Sequence, residues 1–165
     1  MILILALLLF SSSTQALEIS PLPVKQIEAD SVSFNEKIVH LQGNVTIVHE
    51  FGTLHCDQSK LLRSDQEKEP QKIFLYDNVH IQFTDGSSLS ADNGEINCTT
   101  LEASFTSNTP KKVIYITQPS PSQPPMKATS RALHALISKE ESGYALKSLK
   151  GEGAVHIEYL QKEPS

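Results

Sequence analysis

Tryptophan is absent from this 165-residue chain, and Phe and Tyr together supply only 6% of it. Whatever core it builds must be mainly aliphatic. Cysteine is scarce as well, with Cys56 and Cys98 alone and no CxxC spacing, so neither a redox pair nor a zinc knuckle is indicated. Clustered base is missing: Lys111-Lys112 is the longest basic run in a chain of formal charge −5. Nucleic-acid binding rests on grouped Lys and Arg, so that class is set aside.

Catalytic and metal motifs are missing too. The chain has no GxSxG and no SxxK with partners, no glycine-rich phosphate loop, and no HxxxH or HExxH. Its six histidines are dispersed, and His40, His80 and His156 fall on faces expected to be wet. Asp30, Asp57 and Asp92 do recur in register, but residues that recur along a repeat form a row rather than a facing acid–base pair. Their expected role is at turns or edges, where Asx side chains bond local groups and charge discourages stray pairing. The expectation is therefore a protein that is not an enzyme, with no cofactor and no metal.

The apolar run at residues 2–10 is too short to span a bilayer, which takes roughly 20 residues. A polar stretch and Thr14-Gln15-Ala16 follow, as before a signal-peptidase cleavage. Residues 1–16 are expected to be a cleavable export signal, leaving 17–165 as a single exported domain. A disulfide is chemically permitted in an exported chain. Alternation from Leu54 and Ile96 puts Cys56 and Cys98 on the apolar side, which favours two small buried residues over a bridge.

What is present is a repeated phrase. Leu41-Gln42-Gly43-Asn44-Val45-Thr46-Ile47 returns as Leu75-Tyr76-Asp77-Asn78-Val79-His80-Ile81. It returns more weakly as Lys112-Val113-Ile114-Tyr115-Ile116, and again as Gly151-Glu152-Gly153-Ala154-Val155-His156-Ile157. Val45, Val79 and Val113 are separated by 34 residues each time. A second phrase runs between these, ending in Asp30, Asp57, Asp92 and Thr129. A fixed period marks stacked units that cannot bury their apolar faces singly.

Alternation of apolar and polar positions within each phrase predicts half-buried strands. Asp85-Gly86 and Phe51-Gly52 read as hairpin turns, and the proline-rich 117–125 stretch as an expanded loop of the same kind. Gly43-Asn44 and Asn78, inside strand-like runs, predict a bulge or kink with unusual φ. Residues 129–141 have helical composition, yet the repeat phase predicts strand there. The units run about 27–48, 54–83, 89–116 and 126–159. Their inner face is expected to take Leu41, Val45, Ile47, Leu54, Leu75, Val79, Ile81, Phe83, Leu89, Ile96, Ile114, Ile116, Val155 and Ile157, with Ile27, Val39, Leu101, Phe105 and Leu146 beside them.

The phrases around Ala29-Asp30, Leu41–Ile47, Leu54–Asp57, Asn78–Ile81 and Leu89–Asp92 resemble those of the LptA/OstA-like family of periplasmic lipopolysaccharide-transport proteins. The resemblance is good over 24–105 and looser over 126–159. It implies an all-β fold: an elongated, twisted antiparallel β-jellyroll, folded like a taco, of about four imperfect repeats. It further implies that the fourteen inner residues of the stripe named first line an apolar groove for acyl chains of lipopolysaccharide or lipooligosaccharide. LptC-like inner-membrane and LptD-like outer-membrane proteins would stack on its strand edges, and a head-to-tail homo-oligomer is a further implication. The alternative is an LptC-like or structural envelope scaffold without a lipid ligand.

Overall fold

The computed structural model describes residues 24–63, 70–117, 122–140 and 143–161. The expected export signal at 1–16 lies outside them. Among the described residues every regular element is a strand: β1 (Val24–Glu28), β2 (Ser31–Asn35), β3 (Ile38–His49), β4 (Gly52–Arg63), β5 (Pro70–Phe83), β6 (Ser88–Asn97), β7 (Glu102–Thr106), β8 (Val113–Ile116), β9 (Met126–Ser130), β10 (Ala132–Glu140), β11 (Gly143–Glu152) and β12 (His156–Tyr159). In the helix-like stretch 129–141 the described residues end β9 and form β10, as the repeat phase predicted.

All pairings are antiparallel, and the four long strands β3 to β6 are each shared between two branches. The first half of β3 pairs with β2 and its second half with β1. The late half of β6 pairs with β7, which continues to β10 and β11. Its early half pairs with β8, which continues to β9 and β12. Each long strand therefore belongs to two layers, and the layers meet along a crease where the strands bend.

The crease is written in the sequence. Register shifts by one residue between Gln42 and Val45 and between Tyr76 and Val79, and the extra residues are left-handed: Gly43 and Asn44 at φ 76° and 47°, Asp77 and Asn78 at 59° and 52°. Gly153 and Ala154, at 73° and 50°, make the same bend in the last unit. A bulge of this kind kinks a strand and increases its twist. The recurring aspartates pin it. Asn44 donates to the Asp30 carboxylate at 2.8 Å and Asn78 to Asp57 at 2.7 Å, while the Asn108 backbone N–H and Lys111 both donate to Asp92. Gly43 is required twice over: its φ is left-handed, and a Cβ there would strike the Asp30 carboxylate.

The inner faces of both layers form one aliphatic core. Leu41, Val45, Ile47, Leu54, Leu75, Val79, Ile81, Leu89 and Ile96 are buried in it, as are Val39 and Phe105. Side chains buried on one face of a sheet need a second layer against them, and here each strand's other half supplies it. Fully burying such a side chain contributes roughly 1.5–3 kcal/mol. Cys56 joins this core and Cys98 packs half-buried against it; both are thiols, and burial pushes the Cys56 thiol up to about 11.

In the third unit the inner face is displaced by one residue from the expectation. Val113 and Tyr115 are buried, whereas Ile114 and Ile116 are half-buried on the opposite side. Val113 thus keeps the phase of Val45 and Val79. Four successive apolar residues, 113–116, leave no polar position to mark which side is wet, and the 34-residue period was the better guide. Leu101 sits in a left-handed turn rather than on the core face. Leu133, Ala135 and Ile137 of β10 enter the core in the stretch whose composition looked helical.

Candidate lipid groove

The core stripe runs across the strands from β1 and β2 at one end to β12 at the other, and it is covered unevenly. Residues opposite each other in an antiparallel pair share a face. Ile27 lies opposite Ile47, Val32 opposite Leu41, and Phe34 opposite Val39, so all three point to the core side. They are nonetheless exposed, Phe34 to 73%. At the far end Ile157 lies opposite Ala128, itself opposite Tyr115, and Tyr159 opposite Met126. Val155, Ile157 and Tyr159 are exposed as well, Tyr159 to 71%. These six are the large exposed apolar residues of the described chain, and all belong to the core stripe where it runs out at its two ends.

The expected groove residues divide accordingly. Leu41, Val45, Ile47, Leu54, Leu75, Val79, Ile81, Leu89 and Ile96 meet in the closed middle. Phe83 packs against its rim. Val155 and Ile157 face the same side at the open C-terminal end, and Ile114 and Ile116 face away. Sequence reading missed Val32, Phe34 and Tyr159, although the alternation of β2 and β12 carries that signal: apolar residues at 32 and 34, and at 157 and 159, with polar neighbours between.

A third opening lies between the layers opposite the crease. There a hollow of about 210 Å³ is lined by Phe51, Phe83 and Tyr115 of one layer and by Ile137 and Leu146 of the other, with Thr84 and Asp85 beside them. The tips of the β3–β4 and β5–β6 hairpins are tied by a Thr84 N–H to Phe51 carbonyl bond of 3.0 Å. Phe83 stands 6.3 Å from Phe51 and 6.4 Å, edge to face, from Tyr115. Burial pushes the Tyr115 hydroxyl's pKa up, while a hydrogen bond with Ser87 opposes the rise. His49 stacks on Phe51 at 4.2 Å, and burial, aided by nearby Lys25, lowers it to about 4, so the ring is neutral at pH 7.

The outer faces mix polar and charged side chains with a few apolar ones, Phe74, Tyr76, Ile114 and Ile116 among them. A hollow of about 550 Å³ there is bounded by Lys72, Glu95, Glu102, His134 and Lys150. Lys72 pairs with Glu95 at 2.6 Å and Lys150 with Glu152 at 3.0 Å, so its lysine charge is already matched. Among the described residues no group of three His, Cys, Asp or Glu could hold a metal ion.

Among solved structures the chain is similar to "LptH, the LptA homologous periplasmic component of the conserved lipopolysaccharide transport device from Pseudomonas aeruginosa", with a TM-score of 0.60 at 7% identity, over 85% of this chain and 96% of that one. The architecture is shared. At this identity the likeness is one of fold alone. No family model and no curated protein sequence matches the chain.

Proposed function

We propose that this chain is a non-enzymatic periplasmic bridge protein that holds the acyl chains of lipopolysaccharide or lipooligosaccharide against its inner apolar stripe and passes them from the inner towards the outer membrane. The observation that carries this reading is the placement of exposed apolar surface. Isolated exposed apolar residues are ordinary, but grouped ones mark a binding surface. Here they lie on the core side of β1, β2 and β12, at the two ends of one stripe. An alkyl chain laid there gains roughly 0.8 kcal/mol per buried CH₂ and needs no shaped polar pocket. The neighbouring outer strand edges suit LptC-like and LptD-like partners, which would extend both the sheet and the stripe by strand addition.

One observation favours the scaffold alternative. The middle of the stripe is filled by the chain's own Leu41, Leu75, Val79 and Val113, so acyl chains bind at the ends or between layers that part about the crease. Native mass spectrometry of residues 17–165 with lipopolysaccharide, against phospholipid and detergent controls, separates the two readings. A carrier gives a lipopolysaccharide adduct that is lost in Ile157→Asp. A scaffold gives protein oligomers without lipid.

A further inference from the structure

We propose that His55 and His80 form a two-histidine site for a copper(II) ion on the outer face of the fold, with both rings oriented by the hydroxyls of Thr46 and Ser90. The site is independent of the lipid reading. His55 of β4 and His80 of β5 lie directly opposite each other. Residues so placed share a face and hold their Cβ atoms about 4.5–5.5 Å apart, close enough for two imidazoles to converge on one ion. The neighbouring Leu54 and Ile81 are each 1% exposed in the core, so strand alternation turns both histidines outward. The remaining histidines have other partners across the strands. His40 lies opposite Ser33 and Lys60, His134 opposite Ser104 and Lys150, His156 opposite Thr129, and His49 opposite Val24 and Gly52.

A second observation sets this pair apart from two solvated side chains. Thr46 lies opposite His55 and Ser90 opposite His80, so Thr46, His55, His80 and Ser90 make one row across β3 to β6. The Thr46 hydroxyl is 3.0 Å from His55 Nδ1, and the Ser90 hydroxyl is 3.1 Å from His80 Nδ1. Both rings thus engage the same nitrogen, each with the hydroxyl on its outer flank. Among the described residues no hydrogen bond engages either Nε2. A hydroxyl accepts as well as donates, so it can receive the Nδ1–H bond and leave the Nε2 lone pair for a metal. Partners of this kind fix the tautomer and ring orientation of ligating histidines. The donor set selects the ion. Imidazole suits the late first-row metals, and copper(II) heads their order of affinity. Zinc takes three or four protein ligands, and among the described residues no third His, Cys, Asp or Glu completes such a group. Two imidazoles fill half of a square plane around copper, and water fills the rest. The local charge favours a cation. Asp57 follows His55 by two residues, and its carboxylate accepts from Asn78, two residues before His80, at 2.7 Å.

The test is proton NMR of the histidine rings in untagged residues 17–165, titrated with copper(II) chloride at neutral pH in a non-coordinating buffer. Copper(II) is paramagnetic and broadens the protons near it. The ring signals of His55 and His80 should vanish together at less than equimolar copper, while those of His40, His134 and His156 stay sharp. The electron paramagnetic resonance spectrum of the frozen complex should show coupling to two imidazole nitrogens. At the same copper level His55→Gln should spare the His80 signal, and His80→Gln should spare that of His55. Both positions face outward, and either variant suffices if the other does not fold. Thr46→Val and Ser90→Ala should each weaken binding about ten-fold. Broadening that begins at another histidine would overturn the proposal. So would a His55 ring that broadens as before in His80→Gln, or coupling to a single nitrogen, since either would make the binding adventitious. Unchanged titrations in both Thr46→Val and Ser90→Ala would overturn the orienting role of the hydroxyls.

Discussion

The first and last copies of the repeated phrase make opposite use of the same residues. Val45 and Ile47 are each 1% exposed, while their counterparts Val155 and Ile157 are 50% and 55% exposed. Both pairs follow a two-residue left-handed bend, Gly43-Asn44 and Gly153-Ala154, and both point to the core side. The difference is position in the stack. Their strand, β3, lies between β1 and β4, whereas among the described residues β12 pairs with β9 alone. A repeat that buries its faces against neighbours leaves the last face for something outside the unit. The same apolar residue is buried in the middle and exposed at the end.

The sharpest way to break this comparison is to place a charge in each copy. Val45→Asp buries an unpaired carboxylate in the closed middle and should cost more than about 4 kcal/mol, leaving little folded protein in urea titration. Ile157→Asp should cost under about 1 kcal/mol yet abolish lipopolysaccharide retention. Equal losses of stability would mean that the two copies do not differ as described.

A second effect belongs to the closed region alone. His49 titrates near 4 in the fold against about 6.5 in an unfolded chain, so the unfolded state takes up its proton first. Its contribution is complete above pH 6.5 and declines as pH falls towards 4. The loss is at most about 3 kcal/mol, and less because the ring is part-exposed. His49→Phe should flatten the melting temperature between pH 7 and 4.5 relative to wild type; an unchanged slope would assign the pH dependence elsewhere.

The smallest effect compares the bends. Asn44 tolerates a left-handed φ and donates to Asp30, whereas Ala154 holds φ 50° with a side chain that can donate no hydrogen bond. Ala154→Gly should therefore raise stability by about 0.5–1 kcal/mol, and Asn44→Ala should lower it by about 1 kcal/mol, both read from urea midpoints.

Much of this was legible beforehand, for physical reasons. Period-2 alternation fixes which side of a strand is dry, so Val45, Ile47, Val79 and Ile81 were placed correctly. Gly43-Asn44 and Asn78 announced their bends because few other residues adopt positive φ at low cost. The aspartates were expected at turns or edges, yet Asp57 and Asp92 lie within the internal strands β4 and β6, at the crease; Asp57 meets Asn78, 21 residues away, on the neighbouring strand, a pairing that local sequence does not show. Ile114 and Ile116 were misplaced where an unbroken apolar run hides its phase. The exposure of Val155, Ile157 and Tyr159 was beyond local pattern, because an edge strand reads like an internal one and differs only in having, among the described residues, a neighbour on one side.

The most direct test of the account is photocrosslinking of lipopolysaccharide from benzoylphenylalanine set at existing aromatic positions. Phe34, Phe83 and Tyr159 line the core side, at its two ends and at the mouth between the layers. Phe74 and Tyr76 lie on the outer face beneath Lys72 and Lys60. The account predicts lipid adducts from the first three and none from the last two. Adducts from Phe74 and Tyr76, with none from Phe34 and Tyr159, would contradict it.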